Sequence, residues 1–144
     1  MLLVVTTPRG ALVDVEVDEV TAPGALGEFG ILPGHVPFLS AVRPGVLVYR
    51  GKTHSGTLAV GDGYLQVAVA AGGAGASGER VLVLVDQAAA AADLDRAAAE
   101  REVVELDAEI DKWKRELDGE YRALLTRRAW AQARADAAGR AAAH

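Results

Sequence analysis

His35, His54 and His144 are the three histidines of a 144-residue chain that has no cysteine. They lie on separate segments, with neither the i, i+4 helical pairing nor the ligand cluster that a zinc site uses. Without thiols there is no disulfide framework, thiolate metal site or cysteine nucleophile. Serine occurs at Ser40, Ser55 and Ser77, none of them in a Gly-x-Ser-x-Gly elbow, so a hydrolytic Ser-His-Asp set has no frame. The run Gly72 to Gly78 would cradle a phosphate only if a helix opening on Lys-Ser or Lys-Thr followed it. The strand-like Val81 to Val85 follows instead, and the run reads as a hairpin tip. The carboxylates Asp14, Glu16, Asp18 and Glu19 read as a solvated strand face that keeps the protein in solution. These residue types predict no enzyme, no cofactor and no metal.

The elements that carry them fall into two halves of different period. Val13, Val15 and Val17 alternate with Asp14, Glu16 and Asp18, the pattern of a strand with one wet face. Val46 to Tyr49, Thr57 to Val60, Tyr64 to Val69 and Val81 to Val85 are further β-branched or aromatic runs. Turn formers separate them at Arg9-Gly10, Pro23-Gly24, Pro33-Gly34, Pro44-Gly45, Arg50-Gly51-Lys52 and Gly61-Asp62-Gly63. Short strands so punctuated predict a β-sandwich or flattened barrel.

After Asp86 the period becomes helical. The run Ala88 to Ala92, then Asp93-Leu94-Asp95, can start a helix, with Asp93 as candidate N-cap and Asp95 near the positive dipole end. Val103, Leu106, Ile110, Trp113 and Leu117 recur at steps of three and four, a seam for another helix. Asp118-Gly119 breaks it, and Tyr121, Leu124 and Leu125 open a second, alanine-rich helix. The fold class expected is mainly β plus α: a sandwich over 1–86, then an antiparallel two-helix hairpin over 87–144. Alanine forms helix readily but buries little area, so the hairpin should form easily and dock weakly.

A net charge of −5 argues against a nucleic-acid partner, whose binding draws on Lys and Arg. The start Met1 to Pro8 lacks a basic leader, and no run approaches the ~20 apolar residues that span a bilayer. A soluble, cytoplasmic protein is expected. One segment, Glu28 to Leu39, is unusually apolar for its two prolines and two glycines. It reads either as a loop capping the sandwich or as a protein interface.

That segment also carries a resemblance. Val20-Thr21-Ala22-Pro23-Gly24 followed by Gly27-Glu28-Phe29-Gly30-Ile31-Leu32-Pro33-Gly34-His35-Val36-Pro37 closely resembles the signature of epsilon subunits of bacterial F-type ATP synthases. Arg43 to Leu47, Leu58 to Val67 and the Val81 to Asp86 strand leading into Asp93-Leu94-Asp95 fit the same family. The likeness implies an N-terminal sandwich of about ten short strands that grips the gamma subunit and sits on the membrane c ring. It implies a helical hairpin that either folds on the sandwich or extends towards the alpha/beta hexamer and hinders rotation. A non-catalytic rotor subunit, peripheral on the cytoplasmic face of the bacterial membrane, is therefore expected.

The resemblance assigns Glu28, Phe29, Gly30, Ile31, Leu32 and His35 to the ring and gamma interface. It leaves Arg122, Arg127, Arg128 and Arg134 either as contacts to acidic hexamer loops or as ordinary solvated charges. Moving such an arm from 1:99 to 99:1 takes about 5.5 kcal/mol of differential binding. Two departures stand out. Some members bind ATP through Ile/Leu-Asp-x-x-Arg-Ala; here Leu94 and Asp95 match, but Ala98 stands at the arginine. Arg96 lies roughly 200° around the helix from that position and should not replace it. No ATP binding at useful affinity is expected, which sets aside a nucleotide sensor. The glycine-rich segment, moreover, makes the preceding hairpin longer than is usual in the family.

Overall fold

The computed structural model describes residues 1–34, 37–69 and 78–142. Gly72 to Ser77, His35 and His144 lie outside them. Ten strands form among the described residues. The first five are β1 (Leu2–Thr7), β2 (Gly10–Glu16), β3 (Glu19–Gly24), β4 (Gly27–Ile31) and β5 (Phe38–Val42). The others are β6 (Gly45–Arg50), β7 (Ser55–Val60), β8 (Gly63–Val69), β9 (Glu79–Val85) and β10 (Ala88–Ala90). Two helices follow, α1 (Arg96–Asp111) and α2 (Gly119–Ala142).

The ladder runs β10-β7-β6-β3-β5-β8-β9-β1-β2, with β4 also on β3. Only one residue pair, Gly24 with Val42, joins β3 to β5. At that seam the ladder turns on itself, so β10, β7, β6, β3 and β4 face β5, β8, β9, β1 and β2 across one core. Every pairing is antiparallel except β1 with β9. Leu3, Val5, Val20, Ile31, Val42, Leu47, Leu65, Val81 and Val83 fill the space between the layers. The predicted alternation of Val13, Val15 and Val17 inward with Asp14 and Glu16 outward is the observed one. Gly10, at φ 122°, closes the β1–β2 turn in a conformation that side chains disfavour.

Three expectations for the second half are corrected. Ala88–Ala90 is not helical but pairs with Leu58–Val60 as an edge strand, β10. The Gly61 N–H donates to the Gln87 carbonyl and starts that ladder. An available sheet edge here outweighs alanine's helix propensity, a weak prior. Asp93 ends a short 3₁₀ turn, and the N-cap of α1 is Asp95, whose carboxylate accepts from the Ala98 N–H. Finally, α1 stops at Asp111, so Trp113 and Leu117 lie in a link of residues 112–118 and not on its seam. Trp113 turns onto Tyr121, 5.5 Å between ring centres, and donates its indole N–H to the Glu116 carbonyl. Asp118 then caps α2 by accepting from the Tyr121 N–H.

Candidate docking surfaces

The strands β5, β8, β9, β1 and β2 present their second face to solvent. Leu39 opposes Gln66, Tyr64 opposes Leu84, and Leu82 lies beside Val4. Leu39, Tyr64 and Leu84 are 67%, 59% and 57% exposed, and Leu2, Val4 and Leu82 are half-buried. These side chains follow from strand geometry: with Val81, Val83 and Val85 inward, Leu82 and Leu84 must point out. An apolar face this broad is uncommon on a surface that only water covers. The sequence did carry a signal for it. Val81 to Val85 is apolar at every position, as strands buried on both faces are, yet among the described residues only one face is covered.

A second surface is the β4 strand and the loop after it. Glu28 and Gly30 are exposed, Leu32 is largely exposed, and Leu26 at the β3–β4 turn is fully exposed. Phe29 is half-buried and meets Phe38 edge-on at 5.9 Å. Ile31, grouped with the interface residues on sequence, is fully buried in the core and offers nothing to a partner; inward alternation along β4 puts it there. Glu79, which sequence reading did not single out, holds the loop. Both of its carboxylate oxygens accept from the Gly34 N–H at 2.9 Å, 45 positions away. Gly34 takes φ 87° to aim that N–H.

The hairpin lies folded on the opposite layer. One stripe of α2, Trp130, Ala133, Ala137 and Ala141, packs on Val46, Val48, Ala59 and Ala91. Ala131, Ala135 and Ala138, also buried, share by helical period the side that carries Arg128. Arg128 is paired with Asp107 through Nε at 2.9 Å and Arg134 with Glu102, so both face α1. The hydrogen bond that Arg128 donates to the Asp107 carboxylate holds its guanidinium above its ordinary pKa, against the effect of burial. Arg122 and Arg127 are exposed and make no ion pair among the described residues. Arg140, near the end of α2, reaches Glu28 of β4 at 2.7 Å. At the start of α1 the Asp95 carboxylate is engaged in its cap, and Arg96 pairs with Glu100 and lies against Gly139.

Among the described residues no cluster of His, Asp and Glu is arranged to hold a metal ion. No helix among the described residues is long and apolar enough to cross a membrane.

Residues 1–91 match the family model of the ATP synthase delta/epsilon chain beta-sandwich domain. The ATP synthase epsilon chain of Geobacter sulfurreducens is 36% identical over 136 residues, 94% of this chain and 91% of that protein. The ATP synthase epsilon chain of an Anaeromyxobacter species is 44% identical over 103 residues, 70% of each. Among solved structures, a chain of the Euglena gracilis mitochondrial ATP synthase (OSCP/F1/c-ring) superposes with a TM-score of 0.73 at 18% identity, covering 100% of this chain and 81% of that one. A chain from the central stalk and c ring of the Tetrahymena thermophila mitochondrial enzyme gives 0.59 at 18% identity, with 96% of each covered. Those two likenesses speak for the shared fold. With the sandwich matched throughout and bacterial epsilon chains aligned almost end to end, the chain belongs to the delta/epsilon chain family of ATP synthases.

Proposed function

We propose that this chain is the epsilon-type rotor subunit of an F-type ATP synthase, joining the gamma subunit to the c ring at the cytoplasmic face of the bacterial membrane. It is non-catalytic and works by docking. The observation that carries the reading is the uncovered apolar face of β5, β8, β9, β1 and β2, which we assign to gamma. Burying apolar surface stabilises a contact by about 25 cal/mol per Å², and Leu39, Tyr64, Leu82 and Leu84 supply it without rearrangement. The β4 edge and its loop, with Glu28, Phe29, Gly30, Leu32 and His35, is assigned to the ring. Glu79 stiffens that loop before contact, which lowers the entropy lost on docking.

Residues 87–144 are assigned to the regulatory arm, except that β10 stays with the sheet. Arg122, Arg127, Arg128 and Arg134 are its contacts to the alpha/beta hexamer when extended. Co-purification tests the gamma contact. Leu84→Glu puts a charge at the centre of the apolar face and should abolish recovery with gamma while leaving the far-UV spectrum and thermal midpoint near wild type. A Leu84→Glu chain that still co-purifies at full yield would refute the assignment of that face.

A further inference from the structure

The β4 strand and the loop after it are tied down at two points, by two different parts of the chain. Beyond the end of the strand, Glu79 of β9 accepts from the Gly34 N–H, a tie made within the sandwich. Near its start, Glu28 Oε1 accepts from Nη1 of Arg140 at 2.7 Å, 112 positions away. That second tie comes from the last turn of α2. It holds only while α2 lies on β6 and β7 through Ala133 and Ala137.

Arg140 makes this contact at an open cleft of about 370 Å³ that Pro23, Gly27, Pro44 and Asp136 help to line. Asp136, one turn earlier on α2, takes its hydrogen bond from Gln132 at 2.8 Å. Glu28 is thus the ion-pair partner of Arg140 among the described residues. The Glu28 side chain is still 54% exposed, so a donor from another molecule can reach its carboxylate. The two contacts oppose each other, however. A guanidinium at 2.7 Å neutralises the carboxylate and repels any second cation or positively polarised N–H that approaches it.

We propose that Arg140–Glu28 is a latch through which the arm and the ring compete for one carboxylate. Docking of β4 on a cationic or N–H donor of the ring loosens the end of α2, and a seated α2 weakens ring docking. Such coupling is reciprocal by linkage. It rests on β4 being the ring-facing edge, and it makes the seating of the arm sensitive to whether that edge is occupied. Ala133 and Ala137 remain on the sandwich when the latch opens, so the latch tunes the arm and does not by itself release it.

Hydrogen exchange of the full chain reads the latch. Glu28→Gln and Arg140→Gln should each speed exchange of the α2 amides from Ala137 to Ala141 about twofold to fivefold, the range for a partly exposed ion pair. The double variant should exchange no faster than Arg140→Gln alone, which separates the pair from Arg140's own effect on the helix end. Additive effects, or no effect of Glu28→Gln, would overturn the latch. Purified c ring in detergent then tests the coupling. Bound ring should speed the same amides by a similar factor, and Arg140→Gln should bind the ring about twofold to fivefold tighter than wild type. Equal ring affinity of wild type and Arg140→Gln, with α2 exchange unchanged on binding, would overturn the coupling and leave the ring assignment standing. No ring binding by wild type, or undiminished binding by Glu28→Gln, would instead refute the assignment of Glu28 to the ring and the coupling with it.

Discussion

At the scale of single residues, the strictest demands come from the sheet and from two carboxylates. A Cβ at Gly63 would overlap the Leu84 carbonyl oxygen across the β8–β9 ladder. Backbone cannot move aside as a flexible side chain can, so Gly63→Ala should cost about 2–4 kcal/mol, seen as a lower urea midpoint at unchanged m. Glu79 poses the converse case, since its removal should leave the core alone. In Glu79→Ala the Gly34 amide loses its partner, so that amide should exchange with solvent at a rate near that of an open loop while the global midpoint shifts by under about 1 kcal/mol. Asp95 illustrates how a family motif and local structure share one residue. Its carboxylate caps α1 on the Ala98 N–H, and no arginine stands at position 98 to meet a phosphate. Titration calorimetry should therefore detect no saturable ATP binding below about millimolar, a charge-assisted hydrogen bond being worth ~1.5–3 kcal/mol. A micromolar isotherm would refute this.

At the scale of elements, the arm docks through residues chosen for smallness. Ala133 and Ala137 meet Val46 and Ala59, and each buried methyl contributes only on the order of 0.8 kcal/mol. Enlarging that contact should not strengthen it, because the space between helix and sheet is already filled. Ala137→Leu, at a fully buried position, should push α2 off β6 and β7: α2 amides should lose protection while β8 and β9 amides keep theirs. Retained α2 protection would mean that the docking cluster tolerates bulk and is looser than its burial implies. The sandwich and the two helices were legible in the sequence because Val13-Asp14-Val15-Glu16-Val17 and the alanine-rich tail hold one period for many residues. The alanines of β10 misled because their fate depends on a sheet edge that no local pattern records. Trp113 and Leu117 misled because a helical spacing can continue past the point where the helix ends. The apolar face was half legible, since Val81 to Val85 announces burial on both sides while the described residues cover only the inner one. The partners Glu79–Gly34, Asp107–Arg128 and Glu102–Arg134 were not legible at all, each being a long-range pairing made only by the fold.

At the scale of the whole molecule, two packing clusters divide the labour. The larger lies between the sheet layers and draws on no helical residue; the smaller lies between α2 and β6, β7 and the segment at Ala91. Removing the helices should therefore leave the first intact, but the cut must respect β10. Ala88 and Ala90 pack against the main core and pair with β7. A chain ending at Ala92 should keep its cooperative unfolding, whereas one ending at Asp86 should lose about 1–2 kcal/mol more through the bared β7 edge. In the assembled complex the chain ending at Ala92 still presents Tyr64, Leu82 and Leu84, so gamma should be retained at wild-type yield. Its ATP hydrolysis rate should rise, because the arm is gone while the docking face remains. Unchanged hydrolysis would remove the braking role and leave the docking role standing, while loss of gamma would mean that the helices, not the apolar sheet face, make the decisive contact.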